Sequence, residues 1–121
     1  MSGHNLSIKP LIAHLKVQKS QTNTTSLVTL YVPASTKIID LSKMINSEIS
    51  KTSNIKLRQT RQGVQDALQA VSTTLKKLRE IPTNGLAIFT GHTSENFESI
   101  AIEPPRPIDR FIYVCDNKFC L

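Results

Sequence analysis

The stretch Lys51-Thr-Ser-Asn-Ile-Lys-Leu-Arg-Gln-Thr-Arg61 lies between two amphipathic segments, and its reading decides the fold. On its C-terminal side Val64, Leu68, Val71, Leu75 and Leu78 recur with spacings of 4, 3, 4 and 3, the strongest periodic signal in the chain. That spacing predicts a helix of about 20 residues, about 30 Å long. Gly63 costs it about 1 kcal/mol relative to Ala, which the apolar stripe absorbs. On the N-terminal side Ile38, Leu41, Ile45 and Ile49 fall on one helical face, with Ser35 or Thr36 available as a cap and Asp40 in the first turn. Two long helices joined by a short turn make an antiparallel hairpin, so residues 51–61 are expected to project from the body as a tip.

Nothing in this tip looks like core. It carries four positive charges and no negative one, and its only sizeable apolar groups, Ile55 and Leu57, alternate with Asn54, Lys56 and Arg58. Two readings fit. The tip is a solvated turn that happens to be basic, the commoner case by composition. Or it is a rigid basic element whose amides and hydroxyls bond bases while Lys and Arg meet phosphate.

Outward from the hairpin, Ser26-Leu-Val-Thr-Leu-Tyr-Val32 is β-branched and apolar, ends at Pro33, and reads as a buried strand. Leu86–Phe89, bounded by Gly91, is a second strand, alternating Phe97–Ile102 a third and Phe111–Cys115 a fourth. Residues 6–19 place Leu6, Ile8, Leu11, Ile12 and Leu15 near one side of a first helix, its beginning limited by Pro10. The expected architecture is an α/β two-layer sandwich, a four-stranded sheet packed against three helices. One domain, residues 1–121, accounts for the whole chain.

Charge is placed unevenly. Residues 1–79 hold twelve Lys/Arg against three acids, a balance of +9, whereas residues 80–121 hold three against six, or −3. One face therefore suits a polyanion, nucleic acid ahead of anionic membrane. No apolar run approaches the roughly 20 residues of a membrane span, and the N-terminus lacks the pattern of a secretory signal. Cys115 and Cys120 then read as free thiols in a reducing, cytoplasmic compartment.

Catalytic chemistry finds little to use. A nucleophilic Cys115 needs a base, and His4, His14 and His92 have no motif linking them to it. Cys115 and Cys120 lack the second ligand pair of a zinc site. A phosphate loop, a nucleophile elbow and paired carboxylates are all missing, so neither catalytic residues, metal nor cofactor is expected. Three patches remain: the tip, the hydroxyls Thr24-Thr25-Ser26, and Tyr113-Val-Cys-Asp-Asn-Lys-Phe119. Glu48, an acid within the basic approach to the tip, reads most plainly as an exposed residue pairing with Lys51 or Lys56.

At Thr52-Ser-Asn-Ile-Lys56 the sequence resembles the N-terminal, codon-recognition domain of the eukaryotic and archaeal class 1 peptide chain release factor (release factor subunit 1). Asn54-Ile-Lys56 is similar to the family's NIKS loop, Tyr113 to Phe119 fits its YxCxxxF motif, and Thr25-Ser26 fits the end of its GTS motif. Pro82-x-Asn-Gly-Leu86 and Ile102-Glu-Pro-Pro105 also look like family text, and all keep the family's order over residues 11–119.

The resemblance implies a domain that enters the ribosomal small-subunit decoding site and reads the stop codon of an mRNA. Asn54 and Lys56, within Ser53, Ile55 and Leu57, would recognise the first uridine. Glu48, Thr25, Ser26, Tyr113 and Cys115, with Phe119 nearby, would line the pocket for the two purines, and Lys51, Arg58 and Arg61 would meet phosphate or rRNA. A carboxylate at position 48 accepts from the amino group of adenine. The family's peptidyl-tRNA hydrolysis depends on a Gly-Gly-Gln loop in a middle domain, and its class 2 GTPase partner binds the C-terminal domain. Neither is expected in these residues, so the chain reads as a non-enzymatic, monomeric, cytoplasmic decoding domain from a longer factor. Two departures stand out: Leu57 replaces the Ser of NIKS and Thr24 the Gly of GTS. A docking module without codon discrimination and a small Cys115 enzyme are the competing readings.

Overall fold

The computed structural model describes residues 2–121, with side chains from Ile8 onward. Leu6 and His4, considered above, therefore lie outside the described side chains.

The expected four strands and three helices are all present. Strand β1 (Leu27–Val32) pairs on one edge with β2 (Leu86–His92) and on the other with β4 (Ile112–Asp116), while β3 (Phe97–Ile102) adds to β2. The order is β3-β2-β1-β4 and every pairing is antiparallel. Period-2 alternation divides β1: Val28, Leu30 and Val32 enter one hydrophobic cluster, Leu27 and Tyr31 the other. Both clusters are closed by helices, which is why this strand is apolar along its length rather than alternating.

Helices α2 (Ile38–Lys51) and α3 (Arg58–Lys76) cover the first face through Leu41, Ile45, Val64, Leu68, Val71 and Leu75. Helix α1 (Ser2–Val17) and Phe119 cover the second, where Leu15 packs with Leu27 and Phe89. The helices are thus shared between the two faces, two against one. His14 on α1 pairs with Glu98 on β3.

Several boundaries differ from the sequence reading. Pro10 lies inside α1 rather than at its start; it is exposed, so its ring and the missing hydrogen bond fall on the solvent side. Neither Ser35 nor Thr36 caps α2: Thr36 N–H donates to Pro33 O at 3.0 Å, closing a turn, and the helix starts one residue later with Lys37 as its N-cap. Strand β2 runs through Gly91 instead of stopping before it. At φ 142° a side chain there would meet Leu27 Cδ2 at 2.7 Å and Ser26 O at 2.9 Å, so glycine keeps the two strands in contact. Strand β4 begins at Ile112, leaving Phe111 at its exposed entrance.

Helix α3 begins at Arg58, six residues before the first core position, Val64. Gly63 lies where α3 crosses the entry to β1, and an added Cβ would approach Ser26 Cβ to 2.9 Å. The glycine that weakens the helix is what seats it against the strand.

Candidate functional site

The connection between α2 and α3 is tighter than an eleven-residue loop. Lys51 closes α2, Thr52–Asn54 form one 3₁₀ turn, and only Ile55–Leu57 separate that turn from α3. Two residues correct the expectation that nothing here is core. Thr52 is buried; its hydroxyl donates to Ile49 O and accepts from Gln65 Nε2 at 2.9 Å, bolting the end of α2 to α3. Ile55 is half-buried against the main cluster. Its amide donates to Thr52 O at 2.9 Å, and its carbonyl accepts from the Arg61 guanidinium at 3.0 Å. With those anchors in place Ser53, Asn54, Lys56, Leu57 and Arg58 are all exposed. Leu57 is 71% exposed, an unusual position for a branched apolar side chain.

Beside this turn opens a cavity of about 430 Å³, lined by Thr25, Glu48, Lys51, Ile55, Tyr113 and Cys115, with Thr52, Thr60 and Val64 at its base and side. Residues from four separate parts of the sequence meet here: the entry to β1, the last turn of α2, the first turns of α3 and strand β4. The register explains part of the meeting, because Cys115 stands opposite Val28 and Tyr113 opposite Leu30 on the face that α2 and α3 cover.

Electrostatically the cavity is organised around Glu48. Lys51 Nζ lies 3.1 Å from Glu48 Oε2, one helical turn away, which is the pairing anticipated for this acid. The Cys115 thiol donates to the Tyr113 hydroxyl oxygen at 3.2 Å. Burial first, then the bond from Cys115 and the nearby Glu48 carboxylate, push the Tyr113 phenol well above its ordinary 10.0. Burial likewise pushes the Cys115 thiol above its ordinary 9.0; the bond to Tyr113 partly offsets this and Glu48 adds to it. The cavity therefore presents a phenol and a thiol that keep their protons at neutral pH, alongside the side chains of three threonines, Lys51 and Glu48. Such groups donate to and accept from the edges of a flat heteroaromatic ring.

Not every expected site residue reaches this cavity. Asn54 and Lys56 are exposed on the adjoining turn and do not line it. Ser26 is buried, bonds Thr24 Oγ1 at 2.8 Å, and lines a second pocket together with Gly63. Phe119 is 7% exposed and stacks edge-on against Phe89 at 5.8 Å in the opposite cluster, so it packs the core and cannot present a ring to a base. Conversely, the sequence reading missed Thr60 and Val64 as lining. Val64 was absorbed into the helical stripe, and Thr60 carried no signal of its own.

Among the described residues no cluster of three or more His, Cys, Asp or Glu is placed to hold a metal, and both cysteines are free thiols. No described helix is long and apolar enough to cross a membrane.

A family model described as eRF1 domain 1 matches residues 4–121. The chain belongs to the release factor subunit 1 family. It is 43% identical over 101 residues to the peptide chain release factor subunit 1 of Methanopyrus kandleri, covering 80% of this chain and 25% of the relative. It is 39% identical over 119 residues to that of Methanocaldococcus jannaschii, covering 93% and 28%. The crystal structure of an archaeal translation termination factor, aRF1, superposes with a TM-score of 0.86 at 38% identity, over 93% of this chain and 31% of that one. This release factor domain thus spans about a quarter to a third of the relatives it matches.

Proposed function

We propose that this domain acts in translation termination in the cytoplasm, entering the ribosomal decoding site as part of a longer release factor and reading the stop codon there. The observation that carries the proposal is the convergence of Thr25, Glu48, Tyr113 and Cys115 on one cavity beside the exposed Asn54 and Lys56. A three-base ligand threaded from the turn into the cavity would meet an amide and an ammonium first. It would then meet a carboxylate, a phenol and a thiol. Unpaired RNA is read in this way, by hydrogen bonds to base edges and contact with aromatic rings. Glu48 accepts from an exocyclic amino group, so adenine suits it and a pyrimidine edge with only acceptors does not. Exposed Lys56 and Arg58 supply the phosphate attraction. The domain is the recognition half of a two-part machine: peptidyl-tRNA hydrolysis falls to a middle domain and the class 2 GTPase contact to a C-terminal one. The domain itself is a monomer with no membrane role.

The test is peptide release by a chimera carrying these residues ahead of the remaining domains of an archaeal relative, on UAA, UAG and UGA. Glu48→Ala is expected to lower release at least tenfold, the scale of one good base contact. Leu57→Ser is expected to change the ratio among the three codons. Unchanged release for Glu48→Ala, in a folded protein, overturns the codon-reading assignment. Two features favour a second reading, ribosome docking without codon discrimination: Glu48 is already paired with Lys51, and Leu57 puts a large apolar group beside the first-base lysine.

A further inference from the structure

A second pocket is lined by chain neighbours of residues that line the first. It has a volume of about 240 Å³ and is lined by Thr24, Ser26, Gln59, Gln62, Asp66 and His92 among others. Gly63 and Ser26, in close contact, belong to its lining, and their chain neighbours Val64 and Thr25 line the first cavity. None of the motifs noted above uses Gln59, Gln62, Asp66 or His92.

Its polar groups are arranged rather than scattered. Asp66 receives Gln62 Nε2 on one oxygen at 2.9 Å and faces His92 Nε2 with the other at 2.8 Å. The His92 ring is held in turn by Phe97, with centroids 4.6 Å apart. The carboxylate is thus fixed in direction, and each oxygen keeps a further lone pair. The opposite rim is a loop in which Thr22 and Asn23 both adopt left-handed backbone, at φ 53° and φ 56°, tied down by Asn117 Nδ2 on Asn23 Oδ1 at 3.0 Å. Consecutive left-handed non-glycine residues are strained, and such strain gathers at ligand clamps. The volume suits one planar ring, below the range of pockets that hold whole drug-sized ligands.

We propose that this pocket is a second RNA site, taking one unpaired base that carries an amino group beside a ring-nitrogen acceptor, adenine or cytosine, in preference to uracil. The amino group donates to Asp66, and the ring nitrogen accepts from the Gln59 or Gln62 amide, the pairing by which glutamine recognises adenine. Uracil offers carbonyl oxygens to Asp66 at the same position, and acceptor meets acceptor. The proposal rests on the reading of this face as RNA-binding. The base comes from one of two sources, the mRNA nucleotide after the codon or a base of the ribosomal RNA.

The test uses the 121-residue chain labelled with ¹⁵N, followed by NMR on titration with AMP and with UMP. AMP is expected to shift the Gln62 side-chain amide and the His92 signals, with UMP weaker by roughly tenfold. Gln62→Leu, a change at an exposed helical position, should weaken the AMP response at His92 while leaving the Glu48 and Tyr113 signals in place. In the unsubstituted chain, equal response to AMP and UMP, or no response at Gln62 and His92, overturns the proposal. Stop-codon tetranucleotides separate the sources. If 5′-UAAA binds more tightly than 5′-UAAU through Gln62, the occupant is the following mRNA base. If the two bind alike while Gln62→Leu weakens binding to ribosomes on every message, it is ribosomal RNA. Failure of the codon-reading assignment would appear separately, as silent Glu48 and Tyr113 signals with either tetranucleotide.

Discussion

Replacing Arg61 by Met should loosen the turn that carries Asn54 and Lys56 without unfolding the domain. Arg61 donates to the Ile55 carbonyl at 3.0 Å from a half-buried position, closing the connection between α2 and α3 from below. A hydrogen bond from a charged donor contributes about 1.5–3 kcal/mol, and partial exposure brings the expected value toward the lower end, about 1.5 kcal/mol. Methionine keeps most of the aliphatic contact, so the loss is confined to the bond. Amide exchange reads this directly: the Ile55 N–H, bonded to Thr52 O at 2.9 Å, should exchange roughly tenfold faster. The amides of Leu68 and Val71 in the middle of α3 should change less than about twofold, since they open only with the whole fold. Exchange at Ile55 unchanged by Arg61→Met refutes the claim that this guanidinium holds the turn. The same variant weighs the competing role: if Arg61 meets phosphate instead, RNA binding loses about one unit of salt slope while the exchange pattern stays as it was.

Thr52→Val removes the hydroxyl that joins Ile49 O to Gln65 and leaves the Gln65 amide without its partner; thermal unfolding should show a loss of roughly 1–3 kcal/mol, and an unshifted midpoint would mean the bolt is idle. The raised Cys115, Tyr113 and Tyr31 groups hold their protons in the folded state after the unfolded chain has begun to release them. Stability should therefore be level below about pH 9 and fall as pH rises above it, with Cys115→Ala removing the earliest part of the fall. A decline that starts well below pH 8 would contradict this assignment. Iodoacetamide at pH 8 should modify exposed Cys120 promptly and half-buried Cys115, whose thiol is pushed above its ordinary range, much more slowly.

The architecture was legible in the sequence because its strongest signals are geometric. The 4-3-4 stripe Val64, Leu68, Val71 and Leu75 of α3 and the β-branched run of β1 can be satisfied only by burial, and the structure buries them; Leu78, the last position of the predicted stripe, falls just beyond α3 and is half-buried. What stayed illegible depends on contacts between distant segments. Pro10 marks a helix end in isolation, yet an exposed proline within α1 costs too little to stop it. Gly91 looks like a boundary until Leu27 is seen beside it, and Gly63 like a defect until Ser26 is. Thr52 looks like tip and is bolt, because nothing in its neighbours announces Gln65 thirteen residues on. The site divides in the same way. Tyr113 and Cys115, two residues apart on one strand face, were legible as a pair. Phe119 belongs to the same motif but packs on the other side of the sheet, and Ser26 turns away from Thr25 into a different pocket.

The most direct test of codon reading is the affinity of the chimeric factor for ribosomes bearing UAA, compared with ribosomes bearing the sense triplet UUA, where uracil, which has no amino group to donate, replaces the purine before Glu48. The account predicts binding at least tenfold tighter to UAA, with the difference largely lost in Glu48→Ala. Equal affinity for the two messages, from a protein whose Asn54 turn is intact, would contradict it.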